Sequence, residues 1–268
     1  MENHGGYNDL PFLANFYDYI PAYSGRKDVD FYINAAQATP GNILELGCGT
    51  GRILLPTATA GKEIVGVDIS EYMLNTCRQK IAALDDSIVS RIELVHADMT
   101  DFQLKRTFGL VTTPFRSFHH LTTVENQLQC LHCINQHLEI GGQVILDLFQ
   151  LNFASMTNPQ MTIETEDFSG VELPGGYTLK RTHRIAAFHR AQQYNEIELI
   201  FYLSHPDGKE ERLLQSFPFR YFFRYEMEHL LDRCGFQIKD IYGNYDCSPL
   251  RDDSAEMIIV AQKVRTFR

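Results

Sequence analysis

Three glycines at alternate positions, Gly47, Gly49 and Gly51, stand in the string Ile43-Leu44-Glu45-Leu46-Gly47-Cys48-Gly49-Thr50-Gly51-Arg52. Such a turn lets the backbone reverse sharply and approach a ligand where any Cβ would intrude. The helix expected after it offers unpaired N–H groups and the positive end of its dipole. A dinucleotide fingerprint spaces its glycines G-x-G-x-x-G; here the spacing is G-x-G-x-G, and Arg52 occupies the place of the third glycine. Asp68 follows Gly51 by 17 positions (68 − 51) and closes the apolar run Val65-Gly66-Val67-Asp68. An ionised carboxylate offers two acceptor oxygens, enough for both hydroxyls of a ribose. The plainer role for Asp68 is a helix N-cap, since a helix is expected from Ser70. In His96-Ala97-Asp98-Met99, Asp98 can accept from the exocyclic amine of an adenine while Met99 packs on its ring.

A second reactive stretch is Thr112-Thr113-Pro114-Phe115-Arg116-Ser117-Phe118-His119-His120-Leu121. His119 and His120 are the candidate general bases, although adjacent helical residues point different ways, so at most one faces a site. A capping or surface histidine is the simpler reading of each. The Arg116 guanidinium suits a carboxylate or phosphate on a substrate; a solvated arginine is the alternative. Arg52 either lies near a ligand carboxylate or covers a helix surface. Phe217, Phe219, Tyr221, Phe222, Phe223 and Tyr225 read mainly as core, with part available to line an apolar pocket. His183, His189 and His205 lack metal-ligand spacing, and Cys130-x-x-Cys133 has no second pair, so no metal is expected.

These residues need elements to hold them. Residues 42–46, 63–68, 91–97, 109–113 and 143–149 read as five apolar strands. Helical segments at 51–60, after the Ser70 N-cap (Met73, Leu74, Cys77, Ile81) and at 124–138 alternate with them, Gly141-Gly142 closing the last. This order predicts a parallel sheet covered on both faces. After Phe149 the period changes to two. Ile197, Leu199, Phe201 and Leu203 share one face, and Pro206-Asp207-Gly208 reads as a hairpin turn. Three or four antiparallel strands are expected within 151–218, with strand candidates at 178–188, 194–203 and 210–217. A helix at 224–234 closed by Gly235 and strands at 236–241 and 257–262 complete the chain.

The chain has 268 residues, 44% hydrophobic and 22% charged, with a net charge of -10. Nucleic-acid binders draw affinity from a basic face, so this balance favours a small-molecule or protein partner. The longest apolar runs are too short to span a bilayer, and the N-terminus lacks the pattern of a signal peptide. A cytoplasmic protein without nucleic-acid or membrane partners is expected, with a homodimer left open.

The glycine string after a strand, Asp68 and Asp98-Met99 together resemble the class I S-adenosylmethionine (SAM)-dependent methyltransferases, over most of the chain. More narrowly, the chain is similar to small-molecule N-methyltransferases of the amino-sugar N,N-dimethyltransferase type. The shared features are an N-terminal tyrosine-bearing segment and an antiparallel insertion after strand five. The resemblance implies a Rossmann-like, seven-stranded, mostly parallel sheet with helices on both faces. It places the SAM-binding core at 1–150 and 221–268, a helical N-terminal cover at 1–40 and a β lid at 151–220. It implies SAM as cofactor, with S-adenosylhomocysteine as product. Glu45, Gly47, Cys48, Gly49 and Gly51 would hold the cofactor from the first turn, and Asp68, Ile69 and Met73 from the second. Ala97, Asp98 and Met99 would serve the adenine, and Thr113, Pro114 and Phe115 the methyl end. Tyr17 and Tyr23 would close over the cofactor, and Arg116 and Phe118 would meet the substrate. Methyltransferases acting on nucleic-acid bases carry D/N-P-P-Y/F/W where this chain has Thr112-Thr113-Pro114-Phe115, which argues against base methylation. The expected reaction is methyl transfer to a small molecule, an amine before a hydroxyl. The alternatives are a protein or RNA methyltransferase, or a SAM-binding regulator without turnover.

Overall fold

The computed structural model describes residues 11–267. In chain order the helices before the first strand are α1 (Pro11–Phe16), α2 (Pro21–Ser24) and α3 (Val29–Ala38). Alternation then begins with β1 (Ile43–Leu46), α4 (Leu54–Thr59), β2 (Ile64–Asp68), α5 (Glu71–Ile81), α6 (Asp86–Val89) and β3 (Ile92–His96). It continues through β4 (Phe108–Thr113), a 3-10 segment (Pro114–His120), α7 (Val124–His137) and β5 (Leu138–Phe149). The insertion holds α8 (Phe153–Thr157), a 3-10 turn (Pro159–Thr162), β6 (Thr165–Leu173), β7 (Tyr177–His189), β8 (Tyr194–Ser204) and β9 (Glu210–Arg220). The chain then adds α9 (Arg224–Arg233), β10 (Phe236–Tyr242) and β11 (Glu256–Lys263).

Seven strands form one sheet in the order β10-β11-β5-β4-β1-β2-β3. β3, β2, β1, β4 and β5 pair in parallel; β11 joins β5 and β10 joins β11 antiparallel. This is the fold class the sequence predicts. All four residues of β1 and all six of β4 are buried, as strands covered on both faces must be. The helix after β2 starts as expected, with the Ser70 hydroxyl accepting from Met73 N–H at 3.4 Å and Met73, Leu74 and Cys77 buried on one side.

The Gly141-Gly142 pair does not cap α7. That helix stops at His137, and β5 begins at Leu138. The β4–β5 register slips there from Phe108↔Leu138 to Leu110↔Gln143, so the glycines lie in a bulge, with Gly141 at φ +88°. The buried Lys263 ammonium donates to the carbonyls of Asn135 and Leu138 at 2.6 and 2.7 Å. It satisfies the end-of-helix acceptors that a glycine motif would otherwise have served.

By chain contacts the molecule divides into two compact units. One is Lys27–Leu151 with Phe222–Arg268; the other joins the N-terminal segment up to Arg26 to Asn152–Tyr221. Sequence reading treats 1–40 as one cover, whereas the division falls at Arg26/Lys27. α3 buries Phe31, Tyr32 and Ala36 in the core cluster of the first unit. The segment before it packs on the insertion: the Phe12 and Phe201 rings meet edge-on at 5.7 Å, and Arg181 donates to the Tyr23 hydroxyl at 2.9 Å.

The insertion sheet runs β6-β7-β8-β9, antiparallel throughout. Its β8–β9 hairpin turns at Pro206-Asp207-Gly208 as expected, His205 N–H donating to Lys209 O at 2.8 Å. Strand character does not begin at 151. Asn152 caps α8, its side chain accepting from Ala154 and Ser155 N–H, and Asn158 caps the 3-10 turn. Short polar side chains at these two positions favour local turns over a ladder. Among the described residues no helix is long and apolar enough to cross a membrane.

Candidate active site

The carboxyl ends of β1, β2, β3 and β4 bring the predicted segments together. Gly47, Gly49 and Gly51 all have left-handed φ, +74°, +55° and +85°. Two are demanded by the protein's own packing. A Cβ on Gly47 would stand 2.4 Å from Ser117 Oγ, and one on Gly51 would stand 2.7 Å from Cys77 Sγ. A Cβ on Gly49 would meet no atom within 4 Å, so that position faces open space, where a ligand can approach the backbone. Cys48 is buried, its Sγ 2.7 Å from the Cβ position of Gly66.

Asp68 ties this turn to β2. Its Oδ2 accepts from Gly49 N–H at 2.7 Å and its Oδ1 from Ser70 N–H at 2.8 Å. Burial raises its pKa, and the Ser70 and Gly49 N–H bonds oppose that rise. The N-cap of α5 is Ser70, not Asp68. Each carboxylate oxygen has two lone pairs, so acceptor capacity remains for ribose hydroxyls. Ile69 is 44% exposed beside it, whereas Met73 is buried.

Glu45 is buried, and its Oε2 has no hydrogen-bond partner among the described residues. Burial pushes its carboxyl up to about 8, against the pull of the Arg52 charge. An orphaned buried carboxyl leading into the glycine turn fits a cationic ligand group, which would supply the missing partner. Arg52 is not simply a cover for a helix surface. Both its terminal nitrogens donate to Asp28, at 2.6 and 2.7 Å, and Asp28 is fully buried. The guanidinium also lies over the Phe115 ring, 5.3 Å from its centroid.

At the end of β3, Asp98 Oδ1 accepts from Thr100 N–H and hydroxyl at 2.8 and 2.7 Å, with the carboxylate at the surface. Met99 reaches the glycine turn, its Cε 4.0 Å from the Cβ position of Gly47. Ala97 N–H donates to Asp68 O at 3.1 Å, binding the two strand ends together.

The loop after β4 departs most from its sequence reading. Thr113 and Pro114 are buried. Phe115 and Arg116 then adopt consecutive left-handed conformations, φ/ψ 53°/38° and 66°/24°. For non-glycine residues this costs on the order of 1–3 kcal/mol each. Two tethers hold them. Phe115 N–H donates to Asp147 Oδ2 at 3.0 Å; Arg116 Nη2 donates to both oxygens of Glu256 at 3.1 and 3.0 Å. Arg116 also lies over Phe149, 5.4 Å from the ring centre. Its charge is thus neutralised within the chain, which corrects the expectation of a substrate anion there. Phe118 is fully buried against Phe222, ring centres 5.4 Å apart, so it is a core residue and not a substrate contact. His119 is also fully buried, stacked on Phe149 at 4.6 Å, with Nε2 accepting from Phe149 N–H at 3.3 Å. Burial pushes the His120 imidazole down to about 4.

Asp147, Glu256 and Tyr245 are residues that sequence reasoning missed. Asp147 lies in the apolar run Val144-Ile145-Leu146-Asp147-Leu148-Phe149, and a lone carboxylate inside a buried strand was the available signal. Tyr17 and Tyr23 belong to the insertion unit, their rings 4.8 Å apart. The Tyr23 hydroxyl accepts from Arg181, and burial raises its pKa. His183, His189 and His205 each lie beside a carboxylate: Asp167, Glu196 and Glu211. Cys130 and Cys133 are buried thiols, raised by desolvation. The aromatic cluster divides, with Tyr221 and Phe222 buried and Phe223 and Tyr225 exposed.

Residues 43–142 match the family model of the methyltransferase domain. Over 260 residues the chain is 24% identical to the putative methyltransferase YqeM of Bacillus subtilis, covering 95% of this chain and 97% of that one. It is 24% identical over 239 residues to the dTDP-3-amino-3,6-dideoxy-alpha-D-glucopyranose N,N-dimethyltransferase of Streptomyces fradiae, covering 86% of each. Among solved structures, the CcbJ methyltransferase of Streptomyces caelestis shares the fold with a TM-score of 0.75 at 22% identity, over 97% of this chain and 98% of that one.

Proposed function

We propose that this chain, an S-adenosylmethionine-dependent methyltransferase of the class I fold, methylates an amine on a small molecule. When bound, SAM supplies an electrophilic methyl group on a positively charged sulfur. In this reading the open face of Gly49 receives the cofactor, Asp68 takes the ribose hydroxyls and Asp98 with Met99 the adenine. Glu45 presents its orphaned oxygen to the cationic amino-acid end.

The state of the two histidines carries the amine reading. His119 has its Nε2 engaged by Phe149 N–H, and His120 is held near 4, so it is neutral and a weak base at pH 7. A hydroxyl acceptor wants a stronger base nearby. A neutral amine already carries its lone pair and needs chiefly to be held in line with the methyl. The amino-sugar substrate named for the Streptomyces fradiae relative supports the same class, and the net charge of -10 suits a cationic or neutral acceptor better than a polyanion. The test is conversion of SAM to S-adenosylhomocysteine across matched panels of amines and alcohols, including amino sugars and their nucleotide-linked forms. Turnover confined to amines is expected. Turnover only on RNA or protein would reverse the reading, and tight S-adenosylhomocysteine binding with no turnover on any class would favour a regulator.

A further inference from the structure

We propose that Asp147 is a positioning residue for methyl transfer, fixing the left-handed turn at Phe115 and Arg116 through the Phe115 amide. The inference rests on the loop after β4 being the acceptor side of the site, and it adds a residue that neither the sequence motifs nor the proposed chemistry uses.

One oxygen does this work. Asp147 Oδ2 accepts from Phe115 N–H at 3.0 Å, the Tyr245 hydroxyl at 2.8 Å and the Tyr32 hydroxyl at 3.2 Å. The residue is fully buried on β5, one place past Leu146, which pairs with Thr113 at the end of β4. The donors come from three separate segments: α3, the loop after β4 and the β10–β11 connection. Two hydroxyls approaching the same oxygen orient the carboxylate, and the oriented carboxylate holds a backbone conformation that phenylalanine rarely adopts. What the turn positions is also visible. It carries Ser117, whose Oγ sits 2.4 Å from the Cβ position of Gly47, and the Phe115 ring, which lies under Arg52. The loop after β4 is therefore seated against the glycine turn. Release of Phe115 from its left-handed conformation shifts that seat and the line between nucleophile and methyl.

The experiment uses the full chain and three sets of variants: Asp147→Ala, Asp147→Asn, and Tyr32→Phe with Tyr245→Phe. Amide exchange at Phe115 is followed by NMR with S-adenosylhomocysteine as the probe ligand, whose affinity is measured by calorimetry. Turnover is measured with whichever amine the acceptor panel identifies. Asp147→Ala should speed Phe115 exchange by about tenfold or more, the worth of one charge-assisted bond. It should lower kcat by about 10- to 100-fold, as small misplacements do, and change S-adenosylhomocysteine affinity much less. Asp147→Asn keeps an acceptor oxygen and should restore most of the protection and most of kcat. The double tyrosine variant should fall between, and it carries the test if Asp147→Ala does not fold. Unchanged Phe115 exchange in a folded Asp147→Ala protein overturns the inference. So does an Asp147→Asn protein as impaired in kcat as Asp147→Ala, with melting temperature lowered in step, because that is the pattern of a purely structural residue. If no amine is turned over by the parent protein, the acceptor reading fails while the exchange result still decides the role of Asp147.

Discussion

The turns after β1 and β4 lie side by side, since the two strands pair in parallel register, and both run through left-handed backbone. The first achieves it with composition, three glycines in five residues. The second achieves it with a phenylalanine and an arginine, pinned by Asp147 and Glu256. A local solution carries its instructions in the turn itself. A tertiary one depends on residues up to 140 positions away. The first is open toward a ligand and the second is tethered, and Arg52, immediately past the one and roofing the other, belongs to both.

Four measurements break or sharpen this contrast. The largest effect is expected at Glu45, the carboxyl leading into the first turn. Its pKa rises from 4.5 to about 8 on folding, so the folded state holds a proton that the unfolded chain has released between those values. Stability from this group is fully present below about 4.5 and is lost as pH rises through 8, at up to about 1.4 kcal/mol per pH unit. Urea midpoints measured from pH 5 to 9 should show that decline relative to Glu45→Gln, and parallel profiles would refute it. Next is Arg52→Ala, which removes both guanidinium bonds from the buried Asp28 carboxylate and should destabilise the chain by about 3 kcal/mol. A loss under about 1 kcal/mol would show that the ion pair is replaceable in the folded chain. Asp68→Ala should weaken S-adenosylhomocysteine binding by on the order of 1–3 kcal/mol in calorimetry. The smallest change in stability belongs to Gly49→Ala. It costs only the left-handed backbone penalty, about 1–2 kcal/mol, because no protein atom opposes the new Cβ. It should nonetheless weaken S-adenosylhomocysteine binding. An unaltered affinity would mean that the open face of Gly49 is not the cofactor cradle.

The same contrast explains what could be read from residues alone. The glycine turn, the Ser70 cap and the alternation of β1 to β5 are written in neighbouring residues, so spacing reveals them. Arg52 defeats such reading because its partner Asp28 lies in a segment with no motif. Arg116 defeats it because Glu256 belongs to the last strand. His119 looked available beside Pro114-Phe115 only until Phe149, thirty positions on, stacked over it. The Gly141-Gly142 pair misled for a related reason: Lys263 from β11 finishes α7, freeing the glycines to form a bulge. Residues whose role is set by a strand arriving later in the chain are invisible to local pattern.

The pairing of Arg181 with Tyr23 spans 158 positions, and Phe12 meets Phe201 across a comparable gap. On the ribosome the helical segment 11–26 therefore emerges long before the strands it packs on, and the whole parallel alternation from β1 to β5 is synthesised in between. An engineer who transplants 152–221 as a cassette would leave behind the ring and the hydroxyl that complete its packing. The transferable module is discontinuous, and a working graft has to carry both ends of the chain's first 221 residues.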